Sequence, residues 1–287
     1  TDNTSETGQI GGSGTITVNQ TGTGDTSFVL QDRFSLTATV NQSGLNNQSD
    51  IIQDGAFSAR ATVNQSGEGN TSFIQIGPDN AGVDIDTVVT QGGDFNESTI
   101  NQNNVSRADA TVTQNGDSNQ SFIDQLDGGD TMDATVSQPG NGNFAEIVQS
   151  GAATPGTPNS ATILQFGDGN FGGVQQTGVA TGSTGFIIQQ AGSTNGTAAI
   201  SQSGVSETAL IDQDGGDLNE SFITQDGVTN NAENVQLGNG NFSSITQSEN
   251  DGFFPGTSNV FVDQIGDSNS STFVQDGDGA NTTGIVQ

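Results

Sequence analysis

Residues 110–125 read ATVTQNGDSNQSFIDQ. Two five-residue segments, Ala110 to Gln114 and Ser121 to Gln125, each alternate a small or β-branched residue with a polar one and end on glutamine. Period-two alternation with β-branched residues describes half-buried strands rather than helices. Between them stand Gly116, which permits backbone angles that a Cβ would block, and Asn119, which bonds neighbouring backbone and tolerates left-handed conformations. The stretch is therefore strand, arch, strand.

The same text recurs along the chain. The first strand appears as Ala38-Val40-Gln42, Ala61-Val63-Gln65, Ala134-Val136-Gln138, Ala161-Ile163-Gln165 and Ala209-Ile211-Gln213. The second appears as Ser49-Ile51-Gln53, Ser98-Ile100-Gln102, Ser221-Ile223-Gln225 and Ser243-Ile245-Gln247. Twenty-four glutamines, from Gln9 to Gln287, recur about eleven residues apart. The interval across the arch is eleven in Gln20 to Gln31, Gln42 to Gln53, Gln91 to Gln102, Gln138 to Gln149, Gln165 to Gln176 and Gln264 to Gln275. The return interval stretches to 16 between Gln75 and Gln91, and to 17 between Gln247 and Gln264. One tight turn, one tolerant turn and about 24 residues per period predict a stacked solenoid. We expect an all-β, parallel β-solenoid with two strands per coil and about twelve coils, a lead-in with the first strand over 1–14 and the repeat over 15–287.

Composition agrees. Only 29% of the 287 residues are hydrophobic, and Trp, Tyr, Cys, His and Lys are absent. With a net charge of −30 this is the composition of a disordered chain. The periodic placement of the apolar residues argues against that, so order must come from stacking. Three arginines against 33 acids repel nucleic acid and anionic membranes, and no apolar run is long enough for a membrane helix. Without cysteine there is no disulfide framework or thiolate metal site. A start at Thr1 with no apolar leader reads as a processed, exported form.

An inward amide is costly unless satisfied. Coils about 4.8 Å apart let each amide donate to one neighbouring coil and accept from the other. The predicted amide ladder, which is also the assembly surface, comprises Gln20, Gln31, Gln42, Gln53, Gln65, Gln91, Gln102, Gln114, Gln125, Gln138, Gln149, Gln165, Gln176, Gln213, Gln264, Gln275 and Gln287. Asn47, Asn70, Asn96, Asn119, Asn143, Asn170, Asn241 and Asn269 join it in the arch, with Asp25 and Asn195 at the equivalent position. The arch glycines are Gly22, Gly44, Gly67, Gly93, Gly116, Gly140, Gly167, Gly192, Gly215, Gly238 and Gly266. Small bulges are expected at Asp32-Arg33, at Gln75, at Leu218-Asn219 and at Val235.

The unit Q-x-G-x-x-N-x-[AS]-x-x-x-Q, as in Gln138-Gly140-Asn143-Ala145-Gln149 and Gln114-Gly116-Asn119-Ser121-Gln125, resembles the curlin repeat of curli major subunits, a bacterial functional amyloid. The resemblance covers essentially the whole chain. It implies left-handed winding, export through an outer-membrane pore, nucleation by a minor subunit and head-to-tail growth of an extracellular, cell-surface fibre that supports biofilm and adhesion.

Other functions are weaker fits. Catalysis is not expected, since His, Cys, Lys and Tyr are missing and no acid recurs with the inward period. No cofactor is expected either. Calcium is the one candidate, because Gly167-Asp168-Gly169, Asp127-Gly128-Gly129-Asp130 and Asp276-Gly277-Asp278-Gly279 resemble fragments of calcium loops, though none has full loop spacing. An ice-binding or calcium-stabilised secreted solenoid is the alternative. Outward Thr17, Thr39, Thr62, Thr111, Thr135 and Thr162 would form its flat array, with Ile187, Leu210 and Glu233 replacing threonine later. Phe28, Phe122 and Phe222 also face outward, and acidic turns such as Asp54, Asp214 and Asp226 are expected to crowd like charges.

Overall fold

The computed structural model describes residues 2–55, 57–77, 84–127, 130–151, 157–178, 180–248, 257–276 and 282–287. Twenty-four strands alternate between two parallel twelve-stranded sheets, and successive strands of one sheet are successive coils. The chain is a parallel β-solenoid with two strands per coil. The segment set apart as a lead-in already belongs to it: Thr4–Ile10 pairs in register with Thr26–Asp32.

The period-two pattern explains the thin core. In the first-strand sheet Val40, Val63, Val89, Val112, Val136, Ile163, Ile187 and Ile211 stack in one buried column. Val29, Ile51, Ile74, Ile100, Ile123, Ile147, Val174, Ile200, Ile223 and Ile245 oppose them from the second. The neighbouring column, Ser49, Ser72, Ser98 and Ser121, continues as Ala145, Gly172 and Ala198. The oxygens of those four serines are buried without a hydrogen-bond partner, so the site selects small volume rather than a hydroxyl.

Insertion in the tight turn is not confined to the one extra residue expected after Gln213: the arch from Gln189 to Gln202 spans 13 residues and that from Gln213 to Gln225 spans 12. The extra residues form their own two-stranded sheet, in which Ser193–Thr194 pairs with Gly216–Asp217. Nor is there a bulge at Gln75 or Val235. The strand Thr71–Ile76 keeps register, so Ile76 faces Gln53 and Gln102 while Gln75 is exposed. Likewise Asn234 takes the core position and turns Val235 outward. Inward stacking overrides the glutamine when the two disagree by one residue, because a slip would turn every side chain of the strand over.

Candidate functional site

One ladder runs the whole length. The Nε2 of Gln20 donates to Gln42 Oε1 at 2.8 Å, and the same contact continues through Gln65, Gln91, Gln114, Gln138, Gln165, Gln189, Gln213, Gln236 and Gln264 to Gln287. Each Nε2 also reaches backbone of the other sheet, as Gln42 does to Thr26 O at 2.9 Å. A rung therefore joins adjacent coils and both sheets.

The second ladder is interrupted. Gln31 donates to Gln53, and an unbroken run links Gln102, Gln125, Gln149, Gln176, Gln202, Gln225 and Gln247. Gln275 instead donates to Ser258 Oγ at 2.8 Å. At the gap Ile76 offers no amide, and the buried hydroxyl of Thr87 donates to Gln102 Oε1 in its place. Thr87 stands where other coils have alanine, so the two departures compensate. Gln189, Gln202, Gln225, Gln236 and Gln247 were not among the predicted rungs, although their spacing marks them.

The arch asparagines form a third ladder, in which each Oδ1 accepts the backbone N–H of the next. Asn70 N donates to Asn47 Oδ1 at 3.1 Å, and equivalent bonds join Asn96, Asn119, Asn143 and Asn170. Beyond the insertion, Asn219, Asn241 and Asn269 resume it. Asn195 is a correction. It is exposed with φ 51°, and Ser193 with the Gly196 N–H meets Asn170 instead, because the two inserted residues move the arch position to Gly196 and leave the asparagine one residue short of it.

Asp25, whose own N–H donates to Asn3 Oδ1 at 3.0 Å, fills the second of these rungs imperfectly. Its Oδ1 accepts from Asn47 N and Nδ2 at 3.0 and 3.2 Å, but its buried Oδ2 has no partner. The corresponding Nδ2 of Asn47 and Asn70 donates to Gly67 O and Gly93 O. Asp25→Asn restores a donor there and is expected to stabilise the protein by about 1 kcal/mol. An unchanged urea midpoint would show that the orphan oxygen costs nothing.

The arch glycines were read as conformational permits. Gly44 fits that reading with φ 121°, but Gly93, Gly116, Gly140 and Gly167 lie outside the left-handed region. Close approach is what these four require, since an added Cβ at Gly116 would lie 2.0 Å from Gly140 O.

Two further ladders escaped the sequence reading. On the return turn, Leu36, Ala59, Ile85, Ala108 and Met132 close the early coils with apolar side chains. Asn159, Ser183, Glu207 and Asn230 do so later by hydrogen bonds, with buried Glu207 accepting from Gly204 N and Asn230 Nδ2. Glycine two and an acid or amide five residues past Gln202 and Gln225 was the legible signal. Outside the arch, Asp117, Asn141 and Asp168 link by side chain to backbone, as do Asp217, Asn239 and Asp267. With Thr194 bonded to Asp217, charged and neutral rungs alternate from Asp117 to Asp267.

That alternation corrects the expected charge crowding. Asp54 does face Asp32, but Asp226 faces Ser248 and Asp214 faces Leu237. Like charges do stack as Glu68, Asp94 and Asp117, where the Glu68 and Asp94 N–H groups each donate to the next carboxylate, and as Asp86, Asp109 and Asp133, headed by Arg60, which pairs with Asp86 at 3.0 Å. Burial first, then Asp133 and Asp86, raises the Asp109 carboxyl above its usual range, and burial alone raises Asp133. Asp212 is raised by burial, opposed by a hydrogen bond from Gln190 and raised further by the Asp214 charge on its own strand. A raised folded-state pKa binds protons more tightly in the fold, so destabilisation is full above it and is relieved as pH falls through it. Asp109→Asn is expected to raise the melting temperature at pH 7 and to leave it unchanged near pH 3. A gain of equal size at both pH values would exclude the charge as its source.

The outer threonines stack as expected from Thr17 through Thr39 to Thr62, and again from Thr111 through Thr135 to Thr162. Val88 interrupts them, and Phe186, not Ile187, succeeds Thr162 because Ile187 is core. Among the described residues no group of three or more potential ligand side chains could hold a metal ion. Gly128-Gly129 and Gly277-Asp278-Gly279 of the acidic turns lie outside the described residues. Among the described residues no helix is long and apolar enough to cross a membrane.

Comparison with protein families and curated proteins adds no name. No family model matches, and no curated protein does. The functional reading therefore rests on the ladders and on the repeat unit that spells them.

Proposed function

We propose that this chain is the structural subunit of an extracellular amyloid fibre of the curli kind, growing head to tail and serving a biofilm matrix and surface adhesion. The observation that carries the reading is the polarity of the full-length glutamine ladder. Every Nε2 points toward the next coil, so Gln20 Oε1 has no donor among the described residues, while Gln287 Nε2 donates only to Ser270 O and keeps a second proton. Among the described residues the outermost strands of both sheets, Thr4–Ile10 and Gly14–Gln20 at one end and Ser270–Asp276 and Thr282–Val286 at the other, have unpaired edges. Open edges of parallel, in-register sheets are templates for another copy.

The role is structural rather than catalytic and uses no cofactor. Its partners are further copies, together with the nucleating minor subunit and outer-membrane pore that the curlin resemblance implies. Twelve strands per sheet give this stretch of chain a rise of about 58 Å. Incubated protein is expected to form unbranched fibres with that axial repeat, and Gln20→Leu or Gln287→Leu should slow seeded elongation while lowering the melting temperature of the monomer less than Gln138→Leu does, because each removes one part-buried rung contact rather than two buried ones. Discrete rods that never polymerise would sink the proposal, and freezing hysteresis from such rods would favour the ice-binding alternative.

A further inference from the structure

The outer face of the second-strand sheet carries two aromatic stacks with a gap between them. Phe122, Phe144 and Phe171 form the first, with ring centroids 5.5 and 5.3 Å apart and the last two rings within 6° of parallel. Phe222 and Phe242 form the second at 6.2 Å. In the register of the sheet the coil after Phe171 places Thr197 beside it, and the coil after that brings Ala199 to Phe222. The missing rung is Thr197–Gln202, whose outward residues here are Thr197 and Ala199.

The gap is a depression of 280 Å³ floored by Gly173 and Ala199, walled by Phe171 and Phe222, and closed at one end by the exposed carboxylate of Glu146. Phe171 and Phe222 lie two rungs apart, about 9.6 Å along the stack at the spacing of a parallel sheet, with Phe222 two positions further along its strand, in the column of Gly173 and Ala199. That is nearly twice the centroid distance within the Phe144–Phe171 stack, and the Phe171 ring leans over to Gly173, 3.4 Å from where a Cβ there would stand, so one flat ring system fits over Ala199 between the rings of Phe171 and Phe222. Charge selects among flat molecules. Glu146 lines the slot, no cation occurs after Arg107, and the net charge is −30. Aromatic faces and a carboxylate both attract cations, while an anion would be repelled.

We propose that this slot is a binding site for one small planar aromatic cation per chain. It does not depend on fibre formation, because all of its lining residues come from one chain.

The test is equilibrium dialysis of the full-length chain with N-methylquinolinium, in parallel with its neutral isostere 1-methylnaphthalene. Saturable binding of one equivalent of the cation is expected, with the neutral compound bound at least about five-fold more weakly. Gly173→Val and Ala199→Leu fill the floor from the outside of the sheet and should abolish binding, while Glu146→Gln should weaken it about five-fold and flatten its salt dependence. An unaltered far-ultraviolet spectrum and melting temperature identify variants that remain folded. Binding that survives both filling variants, that is as tight for the neutral compound, or that reaches several equivalents per chain would overturn the assignment.

Discussion

Gln138→Leu is expected to destabilise the protein by about 2–5 kcal/mol, whereas Gln75→Leu should leave stability within about 0.5 kcal/mol of the parent. Both glutamines belong to the same eleven-residue series. Gln138 is buried, and its loss leaves Gln114 Nε2 without its 2.8 Å acceptor and Gln165 Oε1 without its donor. Leucine adds apolar burial but satisfies neither group, and two stranded amide groups outweigh that gain. Gln75 is exposed, one residue short of the rung that Ile76 fills. Urea unfolding of the two variants would decide the matter, and equal losses would mean that the ladder contributes little beyond the backbone sheets.

Gly140→Ala should cost about 3 kcal/mol, the upper end of what overpacking usually costs. The new Cβ would meet Gly167 O at 2.0 Å and Phe166 O at 2.8 Å, and both are backbone of the next coil. Neither can retreat without parting the sheets that lock it. Gly142→Ala is the control: with φ 63° and nothing within 4 Å of the added atom, it meets only the left-handed penalty of about 1–2 kcal/mol. Hydrogen exchange would separate them further. Loss at Gly140 should spread to amides of the coils on either side, and a response confined to the mutated arch would contradict the close-approach argument.

Much of this was legible because a solenoid writes its inward face in period two and its turns in fixed offsets. Ala110, Val112 and Gln114 share a face in any straight strand, and stacking them needs no knowledge of distant sequence. What escaped was compensation between coils. Thr87 looks like a lapse in an alanine column until Ile76 is placed above Gln102. Glu207 looks like a surface acid until the return turn is seen to repeat the chemistry of the arch. The charge spacing was misjudged for the same reason: Asp214 and Asp226 are acidic in sequence, but only register reveals that their neighbours are Leu237 and Ser248. The candidate site was readable as a list of amides, whereas its direction, donor toward the later coil, required the side chains in place.

The uniform coil length bears on how this protein reaches its fold. Ladder partners lie 22 to 28 residues apart along the whole stack. Against 287 residues this is a relative contact order of about 0.08, in the range of helical bundles that fold quickly rather than of sandwiches that fold slowly. Loop closure is thus paid in small equal steps, and each new coil needs only the one before it as a template. The chain can wind progressively as it emerges from a narrow exit, with no strand waiting for a partner that has yet to appear.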